Sequence, residues 1–193
     1  MKKIAVGLTG ASGSTLANSV IKQLLDGGHE VHFVATQVGE KVLSYELETP
    51  YATWLSNYLS HPHFIKYDNT DLFGQLASGS YSIDAMVIVP CSMGTLGKIA
   101  HGISDTLIIR AADVALKEKR PLVLVTRETP LSGIHLQNML TLTQNGATIL
   151  PPVPAYYNRP TTVDEIVTQT AARVLLSLGI KSESHRVWGE THA

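Results

Sequence analysis

The sequence predicts an α/β fold, a doubly wound parallel sheet covered by helices, and two observations support this. Runs that are apolar at every position, at residues 85–89 and 122–125, indicate strands buried on both faces. Segments with helical patterns separate the strands, which implies right-handed βαβ crossovers. Because 193 residues contain no internal repeat and no linker, we expect one domain at 1–180 and a tail at 181–193.

Local signals set the order of the elements. The strands are predicted at residues 3–8, 31–36, 85–89, 122–126 and 148–150. The helices with the clearest signals are predicted at residues 14–25, 38–46, 106–117 and 162–178. Gly27 and Gly28 end the first helix.

Two regions are less simple. The last helix has two overlapping capping-box candidates, one from Thr161 to Asp164 and one from Thr162 to Glu165. Residues 50–82 are predicted to be less regular than the rest of the chain, since two prolines and two glycines break the pattern there.

Composition excludes several classes of protein. A formal net charge of −1 without a Lys/Arg block gives no footprint for nucleic acid or an anionic membrane. The apolar runs are too short to cross a bilayer, and the N-terminus reaches a glycine turn too early for a secretory leader. A single cysteine, Cys91, excludes an intramolecular disulfide and is typical of a reducing compartment. We therefore expect a cytoplasmic protein.

The first strand runs into a glycine-rich turn at residues 7–13. Small residues there would let a phosphate approach backbone N–H groups at a helix start. The spacing G-x-x-G-x-x-G differs from the dinucleotide fingerprint, and the second strand ends in residues 34–37 without the acidic side chain that NAD ribose requires. A mononucleotide such as FMN fits better, although a tight turn that needs glycine for its own sake remains an alternative.

The third strand is expected to break at Pro90 before another turn, Cys91-Ser92-Met93-Gly94-Thr95. Two hydroxyls and a glycine suit phosphate or ring contacts, but Ser and Thr are also ordinary helix caps. Cys91 is better interpreted as a small core residue than as a nucleophile.

Charged residues follow the fourth strand. Arg127 and Glu128 lie at its carboxyl end, where open α/β sheets bind ligands, and Thr129 and Pro130 mark a helix start. A cation beside a carboxylate suits chemistry on a charged small molecule, and a loop salt bridge is the alternative.

More cations are found on the predicted helices. Arg110 and Lys117 share one helix face, where Asp113 could neutralise both, and Arg173 lies at the edge of an apolar stripe. The eight histidines show no metal-ligand spacing, so we expect no metal site.

Five motifs in order resemble the UbiX family of flavin prenyltransferases over residues 3–189, with the stretch 50–82 matching least. They are Gly10-Ala11-Ser12-Gly13, Pro90-Cys91-Ser92-Met93-Gly94-Thr95-Leu96, Arg110-Ala111-Ala112-Asp113-Val114, Arg127-Glu128-Thr129-Pro130-Leu131 and Ile134-His135-Leu136-Gln137-Asn138-Met139. The resemblance implies a Rossmann-like, three-layer αβα flavoprotein, usually a dodecamer. It also implies transfer of a dimethylallyl group from dimethylallyl phosphate to N5 and C6 of reduced FMN without metal, giving prenylated FMN for UbiD-type decarboxylases.

The same resemblance assigns roles to individual residues. FMN would be held by Gly10, Ala11, Ser12, Thr36, Ser92, Met93, Gly94, Thr95 and Arg127, with Thr36 standing where the family usually has serine. The substrate would be held by Arg110, Lys117, Arg127, Tyr157, Arg173 and Trp188. The catalytic group would comprise Glu128 as acid–base residue, Glu46 as a second carboxylate near the flavin, and Ser12. Some sites in the family span subunits.

Two alternatives share the fold and FMN. A cysteine-type flavoprotein decarboxylase would need an Asn-containing Pro-x-Met-Asn loop, whereas this chain reads Pro154-Ala155-Tyr156-Tyr157-Asn158. A non-catalytic FMN-binding accessory protein of a decarboxylase would not need the second group of phosphate-binding cations.

Overall fold

A computed structural model describes residues 1–184, which form a six-stranded, fully parallel sheet between two layers of helices. The strands are β1 Lys3–Leu8, β2 Glu30–Ala35, β3 Phe64–Tyr67, β4 Ala85–Cys91, β5 Leu122–Thr126 and β6 Thr148–Ile149. The helices are α1 Ser14–Asp26, α2 Gln37–Glu46, α3 Tyr51–Leu59, α4 Met93–Ala100, α5 Leu107–Lys117, α6 Gly133–Gln144 and α7 Val163–Ser177. Two 3-10 turns, Gln75–Ala77 and Tyr156–Asn158, complete the described chain.

The sheet has the strand order β3-β2-β1-β4-β5-β6, which confirms the predicted doubly wound class. The chain winds outward from β1 in one direction through β3 and returns through β4 to the other edge. The switch in direction therefore lies between β1 and β4, and the loops that leave these two strands diverge there. Such a switch point leaves a crevice outside the carboxyl ends of the strands.

Two apolar cores separate the helices into layers. The first core joins one face of the sheet to buried residues of α1, α2, α3 and α7, including Leu24 and Val174. The second core joins the other face to α4, α5 and α6, including Leu96 and Ile108. Helices α5 and α7 consequently lie on opposite faces of the sheet.

The prediction for residues 50–82 is wrong in one respect. The stretch contains α3, which buries Trp54 and Leu55, and the edge strand β3, which buries only Phe64 among its core-facing positions. A short edge strand with one buried residue gives little periodic signal, and Pro50 precedes α3 without interrupting it. Packing against the rest of the first core therefore stabilises α3 and β3, although their local sequence pattern is weak.

Several predicted boundaries also shift. Strand β4 continues through Pro90 to Cys91, with an irregular register after Ile88, and does not break at the proline. Helix α6 begins at Gly133, because Ser132 and His135 form a reciprocal capping box there, three residues beyond the predicted start.

At α7 the second capping candidate is the one used. The Thr162 hydroxyl accepts the backbone N–H of Glu165 at 3.2 Å, and the Glu165 carboxylate accepts the backbone N–H of Thr161 at 2.7 Å. Within residues 1–184, no helix has both the length and the apolar character needed to cross a membrane.

Candidate active site

A buried threonine joins the two loops at the switch point. The Thr9 hydroxyl, directly after β1, donates to the Pro90 carbonyl at 2.7 Å and accepts the Ser92 backbone N–H at 2.8 Å. Both partners belong to the end of β4, so one side chain fixes the spacing of the loops on either side of the crevice. Sequence analysis missed Thr9. The sequence did contain a signal for it. Thr9 is a hydroxyl residue between an apolar strand and Gly10, and it lies too far from the start of α1 to cap that helix.

The glycine turn after β1 is closed by a carboxylate. Glu46, the last residue of α2, accepts the backbone N–H groups of Gly13 and Ser14 at 3.0 and 2.6 Å. Burial would raise the pKa of Glu46, but hydrogen bonds from Ser12, Gly13 and Ser14 outweigh it and lower this pKa. The expected phosphate cradle is therefore not formed by Gly13 and Ser14, because an anion already caps them.

The short connection between β2 and α2 brings α2 very close to the end of β1. A Cβ atom on Gly10 would lie 2.5 Å from Val38 Cγ1, and one on Gly39 would lie 2.8 Å from the Leu8 carbonyl oxygen. The backbone contact at Gly39 leaves room for glycine alone, whereas a side chain at Gly10 would have to displace Val38. Thr36 caps α2 by accepting the Gly39 N–H at 3.0 Å, so the predicted hydroxyl is at the crevice edge but is used as a cap.

The loop after β4 opens onto free space. Ser92 caps α4 through the backbone N–H of Thr95 at 3.3 Å, and the Ser92 hydroxyl donates to the Thr95 hydroxyl at 3.0 Å. A Cβ atom on Gly94 would meet no atom within 4 Å, so a ligand can approach this helix start closely. Met93 is buried beside it. Burial raises the pKa of the Cys91 thiol to about 12, so it stays protonated and is no nucleophile at neutral pH.

Arg127 and Glu128 leave the carboxyl end of β5 with exposed side chains. The Arg127 backbone N–H donates to the Cys91 carbonyl at 3.4 Å, which places the residue beside the β4 loop. Glu128 Oε1 accepts the Thr129 N–H at 3.1 Å. Among the described ion pairs, neither side chain has a partner, so the alternative of a loop salt bridge is not realised.

Tyr157 and Arg173 meet in one cavity of about 300 Å³ between α7 and the segment that follows β6. Asn158 Nδ2 donates to Gln169 Oε1 at 2.9 Å and closes one side of it. Leu150, which also lines the cavity, donates its N–H to the Leu124 carbonyl, so the cavity lies at the same sheet edge as the crevice. The volume is at the lower end of the range for small-molecule pockets, about 300–1,000 Å³.

Arg110 and Lys117 lie elsewhere in the single chain. They project from α5, which covers the face of the sheet opposite to α7, and Lys117 ends that helix just before β5 begins. Arg110 forms an ion pair with Asp113 at 2.7 Å, as the sequence suggested, whereas Lys117 pairs with Glu118. One chain therefore brings together Tyr157 and Arg173 but not the α5 cations. Trp188 lies outside the described residues.

The comparisons with known proteins agree on one family. The model of the Flavoprotein family matches residues 1–175. The flavin prenyltransferase UbiX of Chlamydia muridarum is 46% identical over 194 aligned residues, covering 100% of both chains. The chain belongs to the UbiX family of flavin prenyltransferases.

Solved structures of the UbiX family share its fold closely. AnUbiX (PadA1), crystallised with FMN and dimethylallyl pyrophosphate, is 39% identical, has a TM-score of 0.90 and covers 97% of each chain. A dodecameric FMN-dependent UbiX-like decarboxylase from Escherichia coli O157:H7 is 42% identical with a TM-score of 0.88, covering 96% of this chain and 98% of its own.

The crevice fits the flavin mononucleotide of a UbiX-type enzyme. Gly94 leaves room at the α4 start, and Arg127 is an exposed cation at the carboxyl end of β5. The Thr126 hydroxyl at the end of β5 is buried without a hydrogen-bond partner among the described residues. Residues 1–184 contain no group of three His, Cys, Asp or Glu side chains able to hold a metal ion.

We predict that Thr9→Val weakens both the fold and FMN binding. The valine is isosteric but leaves the Pro90 carbonyl and the Ser92 N–H unpaired, at a cost of about 1–3 kcal/mol each. Urea unfolding and flavin-fluorescence titration measure the two effects. Thr9→Ser should restore both, and Thr53→Val, an exposed threonine in α3, should change neither. Unchanged FMN affinity in Thr9→Val would show that the bridge does not shape the crevice.

We predict that Glu46→Gln lowers stability at neutral pH by about 1 kcal/mol, the usual value of a helix cap. Because folding lowers the pKa of Glu46, its contribution is present above its ordinary pKa and is lost as pH falls through the lowered value. The free energies of unfolding of wild type and variant should thus converge in acid. A difference that is independent of pH would contradict the assigned cap.

Proposed function

We propose that this chain joins the dimethylallyl group of dimethylallyl phosphate to reduced FMN, producing prenylated FMN for a UbiD-type decarboxylase. The observation that carries the proposal is that two sites with anion-binding side chains share one edge of the sheet. The crevice between β1 and β4 accommodates the flavin, and the cavity with Tyr157 and Arg173 accommodates the phosphate of the prenyl donor. A protein that only stored FMN would need the first site alone.

The charge of each side chain indicates its role in the proposed reaction. When bound, reduced FMN supplies the nucleophilic ring atoms that accept the prenyl group. Arg173 and the Tyr157 hydroxyl would bind the phosphate and stabilise the negative charge that it gains as the allylic C–O bond breaks. One preorganised donor of this kind contributes roughly 3 kcal/mol to lowering a barrier. Glu128, which is exposed and has no ion-pair partner among the described residues, would accept the proton released on ring closure.

A second copy of the chain would complete the site. Arg110 and Lys117 cannot reach the α7 cavity of their own chain across the sheet, but a neighbouring subunit can present its α5 there. Exposed apolar side chains on and before α6 favour association, and Ile134 is 73% exposed. They are Leu131, Ile134, Leu136 and Leu140. We propose a homo-oligomer of the dodecameric type described for the Escherichia coli relative.

In the proposed reaction, prenylated FMN is released to another protein and is not kept as a cofactor. FMN is consumed as a substrate, so a decarboxylase that uses prenylated FMN is the expected recipient. The buried, protonated thiol of Cys91 is compatible with the reducing cytoplasm that we propose for both proteins.

Anaerobic incubation with reduced FMN and dimethylallyl phosphate should yield a flavin heavier by one prenyl unit in mass spectrometry. Glu128→Gln should slow its formation roughly 100-fold, the lower range for general acid–base catalysis, without changing FMN affinity. Glu183→Gln removes another exposed carboxylate and should react at the wild-type rate. Tight FMN binding without any heavier flavin would favour the accessory-protein alternative.

We predict that mixing two defective variants restores activity. Lys117→Gln and Arg173→Gln should each be strongly impaired, but co-expressed chains should regain about a quarter of wild-type activity, since random mixing gives some sites both native residues. Tyr157→Phe mixed with Arg173→Gln is the matched control, because both residues line one cavity of one chain. No recovery in the first mixture would exclude a shared site.

A further inference from the structure

A chain of polar side chains leads from the buried His32 to the surface on the α5 side of the sheet, where Glu30 and Tyr67 are half-buried and Gln75 is exposed. His32, in the middle of β2, is 0% exposed. Its Nε2 lies 2.6 Å from Glu30 Oε1, and its Nδ1 lies 2.9 Å from the Tyr67 hydroxyl. The Tyr67 hydroxyl, at the end of β3, donates to Gln75 Oε1 at 3.0 Å. Together these four residues, Glu30, His32, Tyr67 and Gln75, form the polar chain.

Burying the His32 imidazole on the α5 side of the sheet costs desolvation free energy. The surrounding core is formed by apolar residues such as Val34 and Ile108. Burial lowers the pKa of His32, although the hydrogen bond and charge of Glu30 oppose the shift. Burial also raises the pKa of Tyr67 to about 12, with further contributions from Tyr81 and Glu30, so its hydroxyl remains a donor. Because His32 is fully buried, loss of either hydrogen-bond partner would leave a ring nitrogen unsatisfied, so His32 fixes the positions of Glu30 and Tyr67.

The end of the polar chain lies in the segment at residues 74–81, which packs along α5. Gln75 begins the 3-10 turn whose last residue, Ala77, offers its carbonyl to Arg110 Nε at 3.0 Å. Farther along, Arg120 donates to the carbonyls of Gly79 and Tyr81 at 2.8 and 2.9 Å. The 74–81 segment is thus held by the polar chain on one side and contacts Arg110 of α5 and Arg120, which follows α5, on the other.

We infer that His32 and Tyr67 are positioning residues for prenyl-donor binding, acting through Gln75 and the Ala77 carbonyl to orient the Arg110 guanidinium. The inference rests on the proposed role of Arg110 in binding the donor phosphate. Arg110 has an alternative partner in Asp113, and without the Ala77 carbonyl the ion pair alone sets its orientation. A guanidinium has five N–H donors, so the contacts to Ala77 and Asp113 leave others for a phosphate.

Tyr67→Phe tests the inference, because it removes one hydroxyl and keeps the ring. We expect KM for dimethylallyl phosphate to rise about three- to tenfold, the range of one lost hydrogen bond, while FMN affinity stays at the wild-type value. Hydrogen exchange should show faster exchange of amides in the 74–81 segment. This second measurement needs neither substrate nor FMN.

Tyr58→Phe is the matched control. Tyr58 is also half-buried, and its hydroxyl also donates to a side-chain amide oxygen, Asn18 Oδ1 at 2.7 Å, but on the opposite face of the sheet. It should leave KM and exchange in the 74–81 segment unchanged. If the two substitutions had equal effects, the polar chain would contribute only to the overall stability of the fold, and the inference would be overturned.

Arg110→Gln separates failure of the inference from failure of the proposed function. If Arg110→Gln raises KM but Tyr67→Phe changes neither KM nor exchange, the inference is wrong and the function stands. If Arg110→Gln leaves KM unchanged, Arg110 does not bind the donor and the inference also falls. When both variants raise KM, the double variant should be no worse than Arg110→Gln alone, since Tyr67 acts through Arg110.

Discussion

The reversal of winding between β1 and β4 is the constraint on which the rest of the structure depends. Because all six strands are parallel, every loop that carries a candidate ligand-binding residue leaves the same edge of the sheet. Only at the reversal do two such loops diverge and leave a crevice. The Thr9 hydroxyl holds the ends of β1 and β4 together below that opening, so a buried hydrogen-bond bridge sets the geometry of an exposed site.

The sheet also divides the charged residues. It separates α5 from α7, and the proposed phosphate-binding cations are split between these helices. In one chain Arg110 and Lys117 are paired with neighbouring carboxylates, whereas Arg173 opens into a cavity with Tyr157. In the proposed assembly, association would have a chemical role, because a neighbouring subunit would bring its α5 cations to the cavity that holds Tyr157 and Arg173.

Much of the fold was predictable from local pattern. The buried strands β4 and β5 are apolar at nearly every position, and α7 carries its cap at Thr162. The α3–β3 stretch was not predictable, because Trp54 and Phe64 become core residues only through packing with Phe33. The candidate site residues were proposed one by one through family motifs, and their roles remain predictions. The capping of Gly13 and Ser14 by Glu46 had no local signal, since the partners are about thirty positions apart.

The sequence by itself determined the α/β class, the glycine turn after β1 and the set of residues that place the chain in the UbiX family. These features depend on composition and short-range spacing, which a single segment contains in full. Only the tertiary structure decided which of those residues meet. Hydrogen bonds such as Thr9 to Pro90, and the separation of Lys117 from Arg173 by a sheet, arise when distant segments pack. Proximity between such segments is a property of the fold and not of any local pattern.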